Sequence, residues 1–337
     1  MRLLALATLV LLGQNLAANP TLEQSVHPSP PYRLVDLLHS SLHFFDLPQI
    51  SVNRKVDLFR KSVIDPHQEA FRVAPGATDE QTLEDFFRSD KNLESYLQNS
   101  VSHELEMRKL SDEFPTLLHA CWSHLHSRLP RLKGDVTIYL VPAPLDTVGG
   151  CVRSVGPRNV MVFGSEVMAH RLTSPLRFDV FVTHELFHLY HMQVNPEMRT
   201  ATAGYFMGGS TTPPPKLYQM MWLEGLAVYA SQVLNPPATM KEAWVSSDPL
   251  SKVKAKLQPL SIFASKELAS TDKRVIRDFV FDGNKERGIP TGTGYYLGML
   301  VAKRLAMRYP LEDLANLQGS ALRDAIESEL NRVITAH

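Results

Sequence analysis

His184-Glu185-Leu186-Phe187-His188 lies within residues 177–194, a stretch that no proline or glycine interrupts. Phe178, Val180, Phe181, Leu186, Phe187 and Tyr190 place apolar residues along it at helical spacing, so it is predicted to be a helix. At about 3.6 residues per turn, positions 184 and 188 share one face, and both imidazoles reach a common point. That arrangement is the ligand pair of a zinc site, and the adjacent carboxylate of Glu185 is left over as a general base toward water. On the order of 0.03 such matches are expected by chance from the chain's His and Glu content, so the pattern carries information. Burial of the helix would put two polar rings in the interior, where a metal ion gives them a partner.

A catalytic zinc takes three protein ligands and leaves one position open, so a third ligand is sought elsewhere. Glu224 is the better candidate. It sits in Trp222-Leu223-Glu224-Gly225-Leu226-Ala227-Val228-Tyr229-Ala230-Ser231, a second apolar helical segment in which an acidic side chain has little other reason to be. The small residues Ala227, Ala230 and Ser231 would let this helix approach the first. Glu197, in an expected loop after Pro196, and His191 are the weaker alternatives. A third histidine at metzincin spacing is absent, since Val194 stands there.

Together with Gly294-Tyr295-Tyr296-Leu297-Gly298, these segments resemble a bacterial family of predicted zinc-dependent proteases within the gluzincin group. The resemblance covers residues 135–310 and runs through H-E-x-x-H at 184–188, E-G-L-A-x-Y at 224–229 and G-Y-x-x-G at 294–298. It implies a zinc peptidase with His184, His188 and Glu224 as ligands, Glu185 as base and a tyrosine near the substrate. Amide hydrolysis builds negative charge on the carbonyl oxygen, which Tyr295 or Tyr296 could stabilise by donating a hydrogen bond. Tyr295 is preferred for its place in the family-like segment. The 35 residues between His188 and Glu224 are a longer excursion than in well-studied gluzincins, and Met299 stands where a further aromatic is often found.

Residues 135–141 alternate and are rich in β-branched side chains, and 159–163 form a second apolar run, so both read as strands. Gly149-Gly150-Cys151 and Gly156-Pro157 between them read as turns, which gives a hairpin or meander ahead of the metal helix. In zincin folds the edge of such a sheet can receive an extended peptide. Residues 202–219, with Gly208-Gly209 and Pro213-Pro214-Pro215, read as a loop that shapes the cleft.

Met1-Arg2, an apolar run over residues 3–12 and small residues up to Ala17-Ala18 resemble a secretory signal peptide at 1–18. A secreted or periplasmic location is therefore expected, with no stable membrane span after its removal. Loss of Arg2 takes the 35 basic and 35 acidic residues to 34 and 35, and this near-neutral balance gives no sign of a nucleic-acid surface. Cys121 and Cys151 suit an exported compartment, and the sequence leaves open a disulfide or two buried thiols. His119, His124 and His126 fall on different helix faces and read as surface residues.

Residues 28–133 read as a helical N-terminal region, broken by Pro48, Pro66, Pro75-Gly76 and Pro115, and residues 134–337 as the zincin-like metallopeptidase region. Helices are expected near 249–256, 261–269 and 271–281, with a helical pair at 311–334. The expected fold is α+β and zincin-like, predominantly helical, with a small sheet beside the helix of the motif. The expected function is hydrolysis of peptide bonds by Zn2+-activated water, on a peptide or protein substrate. The same pattern also suits a peptidase-like scaffold that binds without turnover, or a zinc hydrolase of a non-peptide substrate.

Overall fold

The helix that carries the motif, Phe178–Val194, is apolar on every side and buried along nearly its whole length. A helix of that kind belongs in the middle of a core, and the rest of the chain is arranged around it. Asp179 in its first turn complements the helix dipole. It ends because Pro196 forces Asn195 into an extended conformation (φ −124°, ψ 101°). This is a computed structural model, and it describes residues 30–335 apart from 48–49, 73–81, 146–148, 156–157, 174–176, 207–211, 245 and 247. The signal-peptide segment, the turns at Pro48, Pro75-Gly76 and Gly156-Pro157, and Gly208-Gly209 lie outside the described residues.

Strand β1 (Arg33–Asp36) is followed by helices α1 (Leu37–Leu42), α2 (Val52–Phe59), α3 (Gln68–Phe71), α4 (Leu83–Arg88), α5 (Asp90–Asn99) and α6 (Glu104–Arg128). Then come β2 (Val136–Val141), β3 (Gly150–Val155), β4 (Arg158–Gly164), α7 (Ser165–Thr173), the motif helix α8, α9 (Pro196–Phe206) and α10 (Leu217–Leu234). The chain closes with α11 (Leu250–Lys254), α12 (Leu257–Glu267), α13 (Lys273–Ile276), α14 (Thr293–Leu305), α15 (Leu311–Asn316) and α16 (Gly319–Thr335). Helix α6 continues through Pro115, which is exposed.

The sheet has the order β1-β2-β4-β3, with β1, β2 and β4 parallel and β3 antiparallel at the edge. Two expectations change here. The strands anticipated at 135–141 and 159–163 form, but as parallel neighbours instead of arms of a meander, and the residues taken for a turn at Gly150 begin the edge strand itself. Likewise residues 33–36, within the region expected to be helical, form β1, because Leu34 and Val35 pair in register with Ile138 and Tyr139. Pairing between residues a hundred positions apart outweighs local helical spacing.

Both faces of the sheet are covered. On one, Ile138, Leu140, Val152, Met161 and Phe163 join the core of α6 and α8. On the other, Tyr139, Val141, Val160 and Val162 pack against Phe59, Phe71, Phe87 and Tyr96 of the N-terminal helices. The period-2 alternation of strands sends neighbouring residues to opposite layers. It also separates the cysteines: Cys121 lies in the first layer and Cys151 packs against the second, and both thiols are free. Burial pushes each thiol up to about 12.

Of the loop expected at 202–219, residues 202–206 are helical in α9 and residues 217–219 begin α10, and Glu197, also expected in a loop, lies in α9, where Asn195 caps the helix by accepting from the Met198 N–H at 3.2 Å. Its amide also donates to the carbonyls of Ala315 and Leu317, tying α8 to α15. The expected helices at 249–281 and 311–334 are present as α11 to α13 and as α15 and α16. Among the described residues no helix is long and apolar enough to cross a membrane.

Candidate metal centre

Helix α10 supplies the third side of the site. It is as apolar as α8 and crosses it, and Glu224 is one of the few acidic groups buried within the core. The closest helix contact in this region involves α14. A Cβ at Gly298 would lie 2.0 Å from the Met221 carbonyl oxygen, and one at Gly225 would lie 2.3 Å from the Gly298 backbone. The glycine pair Gly225 and Gly298 seats α10 against α14, with Glu224 next to the contact point. Gly292, at φ +72°, starts α14 in a backbone conformation that a side chain would strain.

His184 and His188 present their Nε2 atoms 3.1 Å apart. The Glu224 Oε2 atom lies 3.6 Å from the first and 3.3 Å from the second. The three residues are buried. Among the described residues they form the one group of His, Cys, Asp and Glu side chains arranged to hold a metal ion. Bonds of about 2.0–2.1 Å in a tetrahedral shell put neighbouring ligand atoms about 3.3 Å apart. The observed triangle fits that spacing. Two imidazole lone pairs and a carboxylate crowded together out of water require a positive charge among them, a proton or a metal ion.

The protonation pattern expresses the same demand. Burial pushes the Glu224 carboxyl up, but the charges and hydrogen bonds of His188 and His184 outweigh it and hold the group at about 2. Burial pushes His188 down, yet Glu224 and Glu185 more than reverse this and leave it above its ordinary value. The Nδ1 atoms of His184 and His188 have no hydrogen-bond partner among the described residues. Ring packing supports the first of them instead: the Tyr295 ring lies nearly parallel to that of His184, at 6.3 Å and 15°.

Glu185 is buried beside this triangle and is not part of it. Burial raises its carboxyl above the ordinary value, against the opposing influence of His184 and His188. The edge strand passes directly over it, and a Cβ on Gly150 would fall 2.3 Å from the Glu185 carboxyl carbon. One turn earlier on the same face, Phe181 carries the Arg171 guanidinium 4.0 Å above its ring. Burial holds Arg171 down at about 10, with Glu185 opposing.

Tyr295 and Tyr296 separate clearly. The Tyr295 hydroxyl is pushed well above 10 by burial and by the charges of Glu224 and Glu185 beside it. Tyr296 turns away to pack edge-on against Trp244 at 6.4 Å. Glu197 is occupied elsewhere, accepting from the Tyr218 hydroxyl at 2.8 Å and the Gln219 amide at 2.6 Å. His191 is fully buried, with both ring nitrogens lacking hydrogen-bond partners, and burial takes it down to about 3.

Gly150, Arg171 and Phe181 are thus neighbours of the base that the motif does not announce. The only sign of Gly150 in the sequence is a glycine pair, which reads equally well as a turn. No protein-family model matches the chain, and neither a curated protein nor a solved structure matches it.

Proposed function

We propose that this chain is a secreted or periplasmic zinc-dependent peptidase. One observation carries the proposal: His184, His188 and Glu224 converge at ligand spacing while the buried carboxylate of Glu185 stands next to them unused as a ligand. A site that only held helices together would have no use for that carboxylate. The resemblance of the segments at 184–188, 224–229 and 294–298 to gluzincin-type bacterial proteases points the same way.

His184, His188 and Glu224 would hold zinc, which would supply Lewis acidity and bring the pKa of a bound water to about 7. Glu185 takes the proton of the attacking water on its carboxylate and then delivers it to the leaving amine. Tyr295 keeps its proton throughout the physiological range and donates a hydrogen bond as charge builds on the carbonyl oxygen. Strand β3 has no strand partner on its outer side among the described residues. This edge passes Glu185, and an extended peptide added to it would favour a peptide over a small ester or amide.

The test pairs metal content with cleavage of a peptide library. Stoichiometric zinc, with cleavage abolished by a chelator and restored by added zinc, is the expected result. Zinc binding without any cleavage would leave a binding scaffold, and cleavage confined to non-peptide substrates would change the reaction class.

A further inference from the structure

Helices α14, α15 and α16 leave a cavity of about 470 Å³ between them, a volume that suits a small organic ligand. It lies apart from the metal ligands. Leu305, the last residue of α14, lines it, and Tyr295 stands on the same helix about 15 Å away at the rise of an α-helix. Leu314, Leu317 and Tyr309 continue the apolar lining, with Ala321 and Ala325 of α16. The two alanines are one turn apart on one face of α16, and their short side chains leave space that larger ones would fill. Helix α16 is held at both ends, since the Gly319 N–H donates to Glu197 of α9 and the Gln258 amide of α12 donates to the Ile334 carbonyl at 3.1 Å.

The polar part of the lining is organised around one buried carboxylate. Glu329 accepts from Arg332 Nη1 at 3.0 and 3.3 Å and from Arg308 Nη2 at 3.5 Å, and Arg304 Nε lies 3.8 Å from it. The Glu329 side chain is buried, whereas all three arginine side chains are more than half exposed. One carboxylate accepts only a few hydrogen bonds, so three guanidiniums keep donors to spare, and the shared anion fixes where they stand. Asp313 also lines the cavity, so these five groups together carry one positive charge in excess. That balance suits a monoanion better than a dianion or a cation. The Arg308 guanidinium lies over the Tyr309 ring at 5.8 Å, so cationic and apolar surfaces adjoin.

We propose that this cavity binds a monoanionic organic carboxylate, its head on Arg308 and Arg332 and its apolar body against Leu305, Leu314 and Leu317. A guanidinium pairs two N–H groups with the two oxygens of a carboxylate, and burying the body against the leucines removes apolar area from water. A bare inorganic anion would leave that apolar surface unused. A free aliphatic acid and the C-terminus of a peptide share the chemistry required. The site is separate from the metal centre and does not depend on the peptidase reading.

Calorimetric titration of the full chain with octanoate and with N-acetyl-leucine tests the proposal, and the tighter of the two probes distinguishes an aliphatic acid from a peptide terminus. Acetate supplies the head without the body, and octylammonium the body with the opposite charge. The better probe is expected to bind at least about tenfold tighter than either of these. Arg308→Gln leaves Glu329 paired with Arg332 and Arg304, so it removes a donor without stranding a buried carboxylate, and it should weaken the better probe about tenfold. Ala325→Leu fills the cavity while keeping every charge and should cause at least the same loss. Circular dichroism verifies that each variant is folded, and Arg308→Gln decides alone if Ala325→Leu is not. Binding of both probes no tighter than acetate or octylammonium, or an unchanged affinity in either folded variant, overturns the site.

Discussion

Gly150 lies so close over Glu185 that a methyl group on its Cα would sit 2.3 Å from the carboxyl carbon and 2.6 Å from Oε2. The edge of the sheet and the proposed base therefore share one volume, and glycine is the residue that lets them do so. Gly150→Ala forces the strand or the carboxylate aside. Because a displacement of about 1 Å can cost about a hundredfold in rate, kcat is expected to fall by that order with zinc content unchanged. Steady-state kinetics alongside metal analysis checks this, and undiminished kcat would show that the carboxylate need not occupy that place.

Glu185→Gln keeps the shape of the side chain and removes its basicity. Zinc should remain bound, since Glu185 is outside the ligand triangle, while kcat drops by about 10²–10⁴. Equal activity in the variant would exclude Glu185 as the base.

Zinc affinity should fall on acidification, starting above pH 6.5. Metal binding needs neutral His188, whose pKa in the metal-free chain is raised above 6.5 by Glu224 and Glu185 against the effect of burial. Below that raised value the proton competes with zinc, at about one decade of affinity per pH unit. Glu224→Gln removes the principal cause of the shift and a ligand together. Its affinity should be weaker at every pH, but the onset of proton competition should move downward. Competition with a chromophoric chelator between pH 5.5 and 8.5, values chosen to bracket the ordinary imidazole range, reads both effects.

Gly298→Ala drives a methyl group into the Met221 carbonyl of α10, at 2.0 Å in the unrelaxed geometry. Overpacking of this kind costs about 1–3 kcal/mol, so a fall in Tm of several degrees is expected. Zinc affinity should fall with it, because the displaced turn carries Gly225 and Glu224. Calorimetry with and without added zinc separates lost packing from lost metal binding, and a variant with both unchanged would show that the two helices have slack.

His191 is neutral in the folded chain, held down at about 3 by burial and secondarily by His188. In the unfolded chain it titrates near 6.5, so between these values the unfolded state carries the extra proton. Its contribution to stability is present above pH 6.5 and is lost as pH falls toward 3. His191→Leu removes the orphaned ring and this dependence. The stability difference between variant and unmodified chain should grow by about 2 kcal/mol in the variant's favour from pH 7 to pH 5. Denaturant midpoints at the two pH values measure it, and parallel pH profiles would mean that His191 reaches water.

Helix α8 and the relation between His184, Glu185 and His188 were legible before any folding was considered, because a four-residue offset on a helix is set by bonds local to the chain. The apolar character of α8 and α10 likewise announced that both are buried, and the strands at Val136–Val141 and Arg158–Gly164 showed in their β-branched runs. Glu224 could be nominated from its improbable setting, but its meeting with the two imidazoles depends on how α10 is seated by the Gly225–Gly298 contact. The choice of Tyr295 over Tyr296, the passage of Gly150 over Glu185, the parallel pairing of β2 with β4 and the separation of Cys121 from Cys151 have the same origin. Each is a relation between residues distant in the chain, decided when side chains compete for one interior volume and backbone groups for one another's hydrogen bonds. Local periodicity carries no record of that competition.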